Sequence, residues 1–164
     1  MRIIGIDPGT AITGFSILEV KNKKLTLLDF GHIQTHKGLK KAERLNHIAE
    51  DMEELLKKWK PNKAAVEKLF FNKNITTAID VAEARGVLTQ KCASKGLEIE
   101  EYGPSEIKSS VCGNGRADKK AVQKMVKMIM NLQEIPKPDD VADAIAVAIC
   151  SANSNSISNS IQTQ

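Results

Sequence analysis

The spacing of apolar residues changes near residue 40, and this change constrains the fold more than any other feature of the 164-residue chain. Before it, apolar and β-branched runs at Met1 to Ile6, Thr13 to Val20 and Leu25 to Ile33 are separated by short turn-forming segments, which is typical of a strand meander. From Lys40 to Trp59 the apolar residues recur every three or four positions, which predicts an amphipathic helix.

Strands and helices alternate in the rest of the chain. Strands are predicted at 64–66 and 97–102, on either side of a helix that begins at Thr76 or Thr77 and reaches Cys92. Further helices are predicted at 104–111, at 118–131 with Asp118 as N-cap, and at 139–152. This order predicts the α/β class, with a sheet of about five strands flanked by helices. We expect one domain over 1–152 and, because residues 153–164 are mostly Ser, Asn and Gln, a disordered tail.

The composition excludes several classes of protein. A hydrophobic share of 41% with 27% charged residues predicts a globular chain rather than a disordered one. No apolar run approaches the roughly 18 residues of a membrane span, and the N-terminus lacks the plan of a secretory signal. The three cysteines are far apart, without the spacing of a zinc site or a disulfide framework. These features predict a soluble cytosolic protein, whose net charge of +4 alone does not indicate a nucleic-acid partner.

Acidic residues follow two predicted apolar strands and begin the last predicted helix. Asp7 ends the first strand, and Glu67 ends a later one. In open α/β sheets, ligands bind outside the carboxyl ends of the strands, so we expect both side chains to face one crevice. In the last helix, Asp143 shares a face with Asp140 or with Asp139, and the spacing does not choose between them.

Each of these acids has an ordinary structural explanation when taken singly: a turn residue, a strand-end surface acid, or helix N-terminal acids favoured by the helix dipole. Together they form a set of oxygen ligands without histidine or cysteine beside them, which suits a hard cation such as Mg²⁺ or Mn²⁺. Two such ions about 3.5–4 Å apart clamp the attacking and leaving oxygens of a phosphodiester displacement. The acids therefore predict metal-dependent phosphoryl chemistry.

Five blocks of sequence in a fixed order carry a resemblance to a known family. They are Ile4 to Thr10 with Gly14; Val66 to Asn74 followed by Ala84 to Val87; Tyr102 to Lys108; Gly113 to Lys119; and Asp140 to Ala146. In this order, and across Met1 to about Cys150, the chain resembles the RuvC-type Holliday-junction resolvases. A single Asp-Pro-Gly-Thr block is weak support, whereas five ordered blocks that contain the expected acids are specific.

The resemblance implies a ribonuclease-H-like fold, a homodimer and paired nicking of four-way DNA junctions with Mg²⁺ or Mn²⁺, two ions per active site. It carries over Asp7, Glu67, Asp140 and Asp143 as the catalytic and metal-holding acids, and it leaves Asp139 as a flanking acid. Asp7 would bridge both ions, and the nucleophile would be a metal-activated water. The implied partners are junction DNA and a branch-migration translocase complex, and the implied location is the nucleoid in the cytoplasm.

The same resemblance assigns residues that would hold DNA. Phe70 matches the base-stacking aromatic of the family, which leaves Phe71 to the core or to support; core filling is the ordinary explanation of either ring alone. Lys108 and Lys119 match positions expected near the scissile phosphate, and Arg116 lies beside a Gly-rich turn where backbone can approach phosphate. A solvated helix face is the ordinary explanation of such a charge run.

One helix is a candidate for the dimer interface. Ala78, Ala82 and Gly86 recur at four-residue spacing in the helix that ends at Cys92, which is compatible with close packing against a second copy. The spacing is equally compatible with packing on the sheet.

Three other functions compete with the resolvase interpretation. One is a different ribonuclease-H-like nuclease that acts on RNA or on duplex DNA, and another is a non-catalytic junction-binding module, which four intact acids disfavour. An actin-like or sugar-kinase-like ATPase also opens with a strand, Asp and Gly-Thr, but it needs two lobes, which 164 residues cannot form.

Overall fold

The first three strands form the predicted meander in this computed structural model, which describes residues 1–69 and 75–161. Strands β1 (Arg2–Asp7), β2 (Ile12–Lys21) and β3 (Lys24–Gln34) pair antiparallel in sequence order. The turn between β2 and β3 places Asn22 and Lys23 at positive φ, the left-handed conformation that a tight hairpin requires.

The chain then crosses to the other side of β1. Helix α1 (Lys41–Trp59) leads to β4 (Lys63–Glu67), and helix α2 (Ile75–Ser94) leads to β5 (Glu98–Tyr102). Strand β4 pairs parallel with β1 and with β5, so the sheet order is β3-β2-β1-β4-β5. Gly96, at a φ of 78°, ends the turn after α2, in the left-handed conformation that glycine commonly adopts after a helix.

Three helices complete the fold: α3 (Pro104–Cys112), α4 (Lys119–Ile129) and α5 (Asp139–Ile161). Asp118 is the N-cap of α4, as predicted, and its carboxylate accepts a hydrogen bond from the Ala121 backbone at 2.8 Å.

The last helix is longer than predicted. The sequence predicts its end near residue 152, whereas α5 reaches Ile161, so part of the predicted disordered tail is helical. Two contacts continue the helix through polar residues: the Asn153 amide donates to the Ser110 hydroxyl at 3.0 Å, and the Ser154 hydroxyl donates to the Cys150 carbonyl at 3.0 Å. Extending a formed helix adds one bond per residue at low cost. The division of the chain into a domain at 1–152 and a separate tail stays a prediction.

The sheet separates two apolar clusters. Helices α3, α4 and α5 cover one face, where α5 packs along β1 and β2, and helices α1 and α2 cover the other. The predicted α/β class, with a mixed five-stranded sheet flanked by helices, is confirmed. Of the helices formed by residues 1–69 and 75–161, none is long and apolar enough to cross a membrane.

Candidate active site

The first two acids of the site lie at one edge of the sheet because their strands are parallel neighbours. Ile6 of β1 is in register with Val66 of β4, and the next residue of each strand is the last one, Asp7 and Glu67. Each of these carboxylates follows a strand whose apolar residues are fully buried. The predicted crevice at the carboxyl ends of the two strands is therefore present.

The N-terminus of α5 reaches this edge because two glycines allow it to lie directly on the sheet. A Cβ on Gly14 would lie 2.0 Å from the Asp140 carbonyl oxygen, and one on Gly5 would lie 2.1 Å from the Ala144 carbonyl oxygen. The Ser16 hydroxyl also donates to the Ala144 carbonyl, at 2.9 Å. Gly14 pairs with Asp7 across the sheet, so this close approach brings the acids of α5 toward the strand ends.

Sequence reasoning did not identify these two glycines as part of the site. The available signal is glycine at inward-facing positions of strands, which commonly marks a close backbone approach. Gly5 and Gly14 belong to blocks that carry the family resemblance, but the sequence does not indicate which element approaches them.

The clustered carboxylates repel one another. Burial first, and then the charges of Asp143, Glu67 and Asp140, raise the pKa of Asp7 to about 8, against a weaker opposing effect of Lys119. Burial and Asp143 also raise the pKa of Glu67, opposed by the charges of Lys108 and Lys119. Such mutual shifts require the acids to be near neighbours in a partly desolvated site.

Lys119 supplies a positive charge inside this acidic group. Its ammonium lies 3.1 Å from a carboxylate oxygen of Asp143 and 3.5 Å from one of Asp139. Burial alone would lower the pKa of Lys119, but these contacts raise it. Burial raises the pKa of Asp143 despite the hydrogen bond and charge of Lys119, with further increases from Asp140 and Asp139.

Asp139 lies at the margin of the group. It accepts from Lys137 at 3.0 Å, and this hydrogen bond is the main reason why its pKa lies below the usual value. Both Asp139 and Asp140 raise the pKa of Asp143, but of the two only Asp140 is among the charges that raise the pKa of Asp7. The electrostatics thus distinguish the two acids that spacing alone leaves equivalent.

Two clefts meet at Glu67. One, of about 260 Å³, is lined by side chains that include Glu67, Asp143, Lys108 and Lys119 above an apolar floor. The other, of about 210 Å³, contains Asp7 and Glu67. Three of the four predicted acids and both predicted phosphate-binding lysines therefore line these clefts: Asp7, Glu67, Asp143, Lys108 and Lys119.

Arg116 and Phe70 are the other residues that are predicted to contact DNA. Arg116 is exposed on the turn before α4, where its backbone N–H donates to the Asn114 side chain at 3.0 Å, and in the described part of the chain it lines neither cleft. Phe70 and Phe71 lie outside the described residues, so their predicted roles stay predictions.

The proposed ligands fit hard divalent cations, because all four are carboxylates: Asp7, Glu67, Asp140 and Asp143. Within 1–69 and 75–161, no three Asp, Glu, His or Cys side chains already converge as an ion-holding group. The positive charge next to Asp143 is the Lys119 ammonium. Burial is the main cause of the raised pKa values of Asp7, Glu67 and Asp143, and repulsion between neighbouring carboxylates adds to it.

A mixed sheet with carboxylates at two adjacent strand ends and on the first turns of the last helix defines a ribonuclease-H-like nuclease. Comparison with known proteins narrows this class. The chain belongs to the family described as "Crossover junction endodeoxyribonuclease RuvC", whose model matches residues 3–151. This membership confirms the resemblance seen in the sequence.

Individual relatives support the assignment. The chain is 50% identical to the crossover junction endodeoxyribonuclease RuvC of Heliobacterium modesticaldum, over 94% of this chain and 95% of the relative. It is 49% identical to that of Caldicellulosiruptor saccharolyticus, over 95% of each. The solved structure of Thermus thermophilus RuvC in complex with Holliday junction substrate matches with a TM-score of 0.91 at 32% identity, covering 96% of each chain.

More distant structures share the fold alone. The yeast mitochondrial Holliday junction resolvase Ydc2 matches with a TM-score of 0.65 at 13% identity, over 99% of this chain and 86% of its own. The sheet with its flanking helices is therefore common to sequences that have diverged widely.

Proposed function

We propose that this chain resolves four-way DNA junctions by paired, symmetric phosphodiester hydrolysis at the site formed by Asp7, Glu67, Asp140 and Asp143. Membership of the RuvC family makes it a crossover junction endodeoxyribonuclease, a hydrolase that depends on a divalent metal and acts in DNA recombination and repair. The observation that carries the residue assignment is geometric: Asp7 and Glu67 end parallel neighbouring strands, and Gly14, which pairs with Asp7, lies against the Asp140 backbone.

The four carboxylates would hold Mg²⁺ or Mn²⁺, two ions in each site. The chemistry that such ions would supply is an activated water as nucleophile and stabilisation of the negative charge on the phosphate and the leaving oxygen. The protein supplies the geometry: Asp7 and Glu67 are fixed by parallel strands, and Asp140 and Asp143 by a helix that rests on the sheet. This arrangement limits the reorganisation needed when charge develops.

Lys108 and Lys119 would bind phosphates next to the acids. Both line the same cleft as Glu67 and Asp143, and both charges oppose the raised pKa of Glu67. A phosphate entering an acidic cleft is repelled unless cations accompany it, and the two lysines reduce that repulsion. Arg116, on the neighbouring exposed turn, would contact a phosphate further along the same strand without reading sequence.

Phe70 would stack on an unpaired base at the centre of the junction, as its match to the family implies. It follows Glu67 by three positions in the chain. Stacking of a base on an aromatic side chain is worth roughly 1–3 kcal/mol. A stacked ring would hold the junction open near the scissile phosphate.

The symmetry of the substrate supports a homodimer. A four-way junction has near two-fold symmetry, and two symmetric nicks require two symmetric active sites, which a two-fold dimer supplies. We propose that α2 forms the interface through the stripe Ala78, Ala82 and Gly86, and that the dimer works at the nucleoid in the cytoplasm with a branch-migration translocase complex.

Substitution of the acids tests this function. Asp7→Asn and Glu67→Gln should each reduce junction cleavage below about one thousandth of wild type, because each removes several kcal/mol of charge stabilisation. Binding of the junction, measured by gel shift in the absence of metal, should persist. The matched control is Asp139→Asn, which should cleave within about threefold of wild type.

The outcomes distinguish the competing functions. Cleavage by Asp7→Asn at the wild-type rate would contradict the assignment of the acids. Binding without cleavage by the wild-type protein, at any Mg²⁺ or Mn²⁺ concentration, would indicate a non-catalytic junction-binding module.

A further inference from the structure

Arg85 contacts the end of the strand that carries Glu67. It lies on α2, where its Nε donates to the main-chain carbonyl of Glu67 at 3.4 Å and its Nη2 is hydrogen-bonded and ion-paired with the Glu101 carboxylate. Its side chain is 20% exposed. One guanidinium therefore connects α2, β4 and β5 at the catalytic edge of the sheet.

The Glu67 carbonyl lies where the pairing of β4 with β5 ends. The last register pair is Glu67 with Tyr102, and the next backbone bond, from the Lys68 N–H to the Tyr102 carbonyl at 2.9 Å, is the last one on that side among the described residues. Beyond the end of a ladder, a strand residue loses the restraint of its neighbours. Arg85 binds the carbonyl group at this position.

A comparable ion-pair group restrains the opposite ends of the same two strands. The Lys63 ammonium, at the start of β4, lies 2.7 Å from Glu100 and 3.0 Å from Glu98 of β5. Strands β4 and β5 are thus connected by side chains at both ends, and the end that carries Glu67 depends on Arg85.

We propose that Arg85 is a positioning residue, which fixes the backbone of Glu67 so that its carboxylate faces the other acids. The proposal rests on the proposed function, since it concerns the geometry of the same site. The direction of the Glu67 side chain depends on the orientation of its backbone, and Arg85 binds the carbonyl group of that backbone. A displacement of about 1 Å in a reacting group can cost about 100-fold in rate, so a modest loosening at this carbonyl is measurable.

The rigid fork of arginine suits this role better than lysine does. Its planar donors can serve a carbonyl on one strand and a carboxylate on the next at the same time, whereas an ammonium offers a single point of charge. A partly exposed ion pair adds little to stability by itself. We therefore expect Arg85 to matter for catalysis more than for folding.

The test compares Arg85→Met and Arg85→Lys with the control Lys91→Met. Lys91 lies on the same helix with similar exposure and pairs with Glu53 on α1 at 2.9 Å, away from the acids. We expect Arg85→Met to lower kcat on a four-way junction about tenfold or more with KM within about twofold, and Arg85→Lys to recover part of the loss. The control should cleave as wild type does.

A second readout separates positioning from general destabilisation. Calorimetric titration of the DNA-free protein with Mn²⁺ should show weaker binding to Arg85→Met than to wild type or Lys91→Met, while the Tm values of the metal-free proteins stay within a few degrees. Arg85→Met with wild-type kcat and wild-type Mn²⁺ affinity would overturn the proposal, as would an equal loss in Lys91→Met. If Glu67→Gln retained cleavage, the proposed function would fail instead, whatever Arg85 does.

Discussion

Asp7 ends a buried strand, is itself partly buried, and has other carboxylates near it. Together these raise its pKa to about 8. An acid in that position costs stability whenever it is ionised without a cation nearby. The site is therefore an example of local destabilisation maintained for chemistry.

The first prediction concerns pH and stability of the metal-free protein. Between about pH 4 and pH 8, folded Asp7 holds a proton that the unfolded chain, with a value near 3.8, releases. The contribution of Asp7 to the free energy of unfolding is therefore fully present below its unfolded pKa of 3.8. It is lost as pH rises through its folded pKa of about 8. Asp7→Asn should consequently gain stability relative to wild type as pH rises from 5 to 8.

Urea denaturation in the presence of a chelator, at pH 5 and pH 8, measures this difference. Because the pKa values of Glu67 and Asp143 are also raised, comparison of wild type with Asp7→Asn is needed to isolate the contribution of Asp7. Added Mg²⁺ at pH 8 should stabilise wild type more than the variant, because an ion that binds only the folded state adds to its stability. A difference between the two proteins that is the same at both pH values would contradict the raised pKa.

Asp7 and Glu67 could be located from the sequence because each ends a short apolar run. The choice of Asp140 over Asp139 could not be derived from spacing, since both share a helix face with Asp143. That choice comes from the family resemblance and stays a prediction. The ion pair of Lys119 with Asp143 could not be predicted from the sequence either, because it joins the start of α4 to the first turns of α5.

At the scale of elements, the position of α5 on the sheet determines whether the site exists. Helix α5 supplies two of the four acids, and it can approach β1 and β2 only where side chains are missing. Gly14 lies opposite Asp7 and directly beneath the Asp140 carbonyl. The spacing of the acids thus depends on a residue that has no functional group.

The second prediction is that Gly14→Ala separates the acids. A Cβ placed 2.0 Å from the Asp140 carbonyl oxygen must displace α5, and such overpacking typically costs about 1–3 kcal/mol. Junction cleavage should fall about 100-fold or more, because the metal ligands lose their mutual geometry. Steady-state cleavage with thermal denaturation of the same samples measures both effects.

Gly31→Ala is the matched control. Gly31 lies on β3, opposite Phe15 of β2, and a Cβ there would meet the Phe15 ring at 3.2 Å. A ring edge can yield where a helix backbone cannot, so this variant should cleave at nearly the wild-type rate. Equal losses in the two variants would indicate general damage to the sheet and would contradict the special role of Gly14.

The elements themselves were largely predictable, because a period of two and a period of three to four are local signals. The sheet order was not, since the placement of β4 beside β1 depends on contacts between residues far apart in sequence. The end of α5 was also predicted wrongly. Contacts such as that of Asn153 with Ser110 extend the helix beyond the apolar residues that indicated it.

At the scale of the whole molecule, the two faces of α2 have different environments. Ala84, Leu88 and Cys92 are buried in the core beneath the helix, whereas Gly86 is exposed and a Cβ on it would meet nothing within 4 Å. The stripe proposed as the interface therefore does not pack on the sheet at Gly86, which supports the first of the two explanations that the sequence leaves open.

The third prediction follows from this exposure. Gly86→Arg should fold normally as a monomer, because the space around Gly86 is open. It should fail to dimerise, because a long charged side chain would meet its own copy across the two-fold axis. Gly86→Ala should remain dimeric and gain about 0.5–1 kcal/mol of helix stability. Sedimentation velocity distinguishes monomer from dimer, and a dimeric Gly86→Arg would place the interface elsewhere.

At the same scale, we propose that two symmetric copies, each with one acidic site, act together on a four-way junction. The most direct test of this proposal is cleavage of a mobile synthetic junction with Mg²⁺, with each strand labelled in turn and a linear duplex of the same sequence alongside. We predict paired nicks at symmetric positions on two strands of the junction and little cutting of the duplex. Cutting of the duplex as fast as the junction would contradict the account.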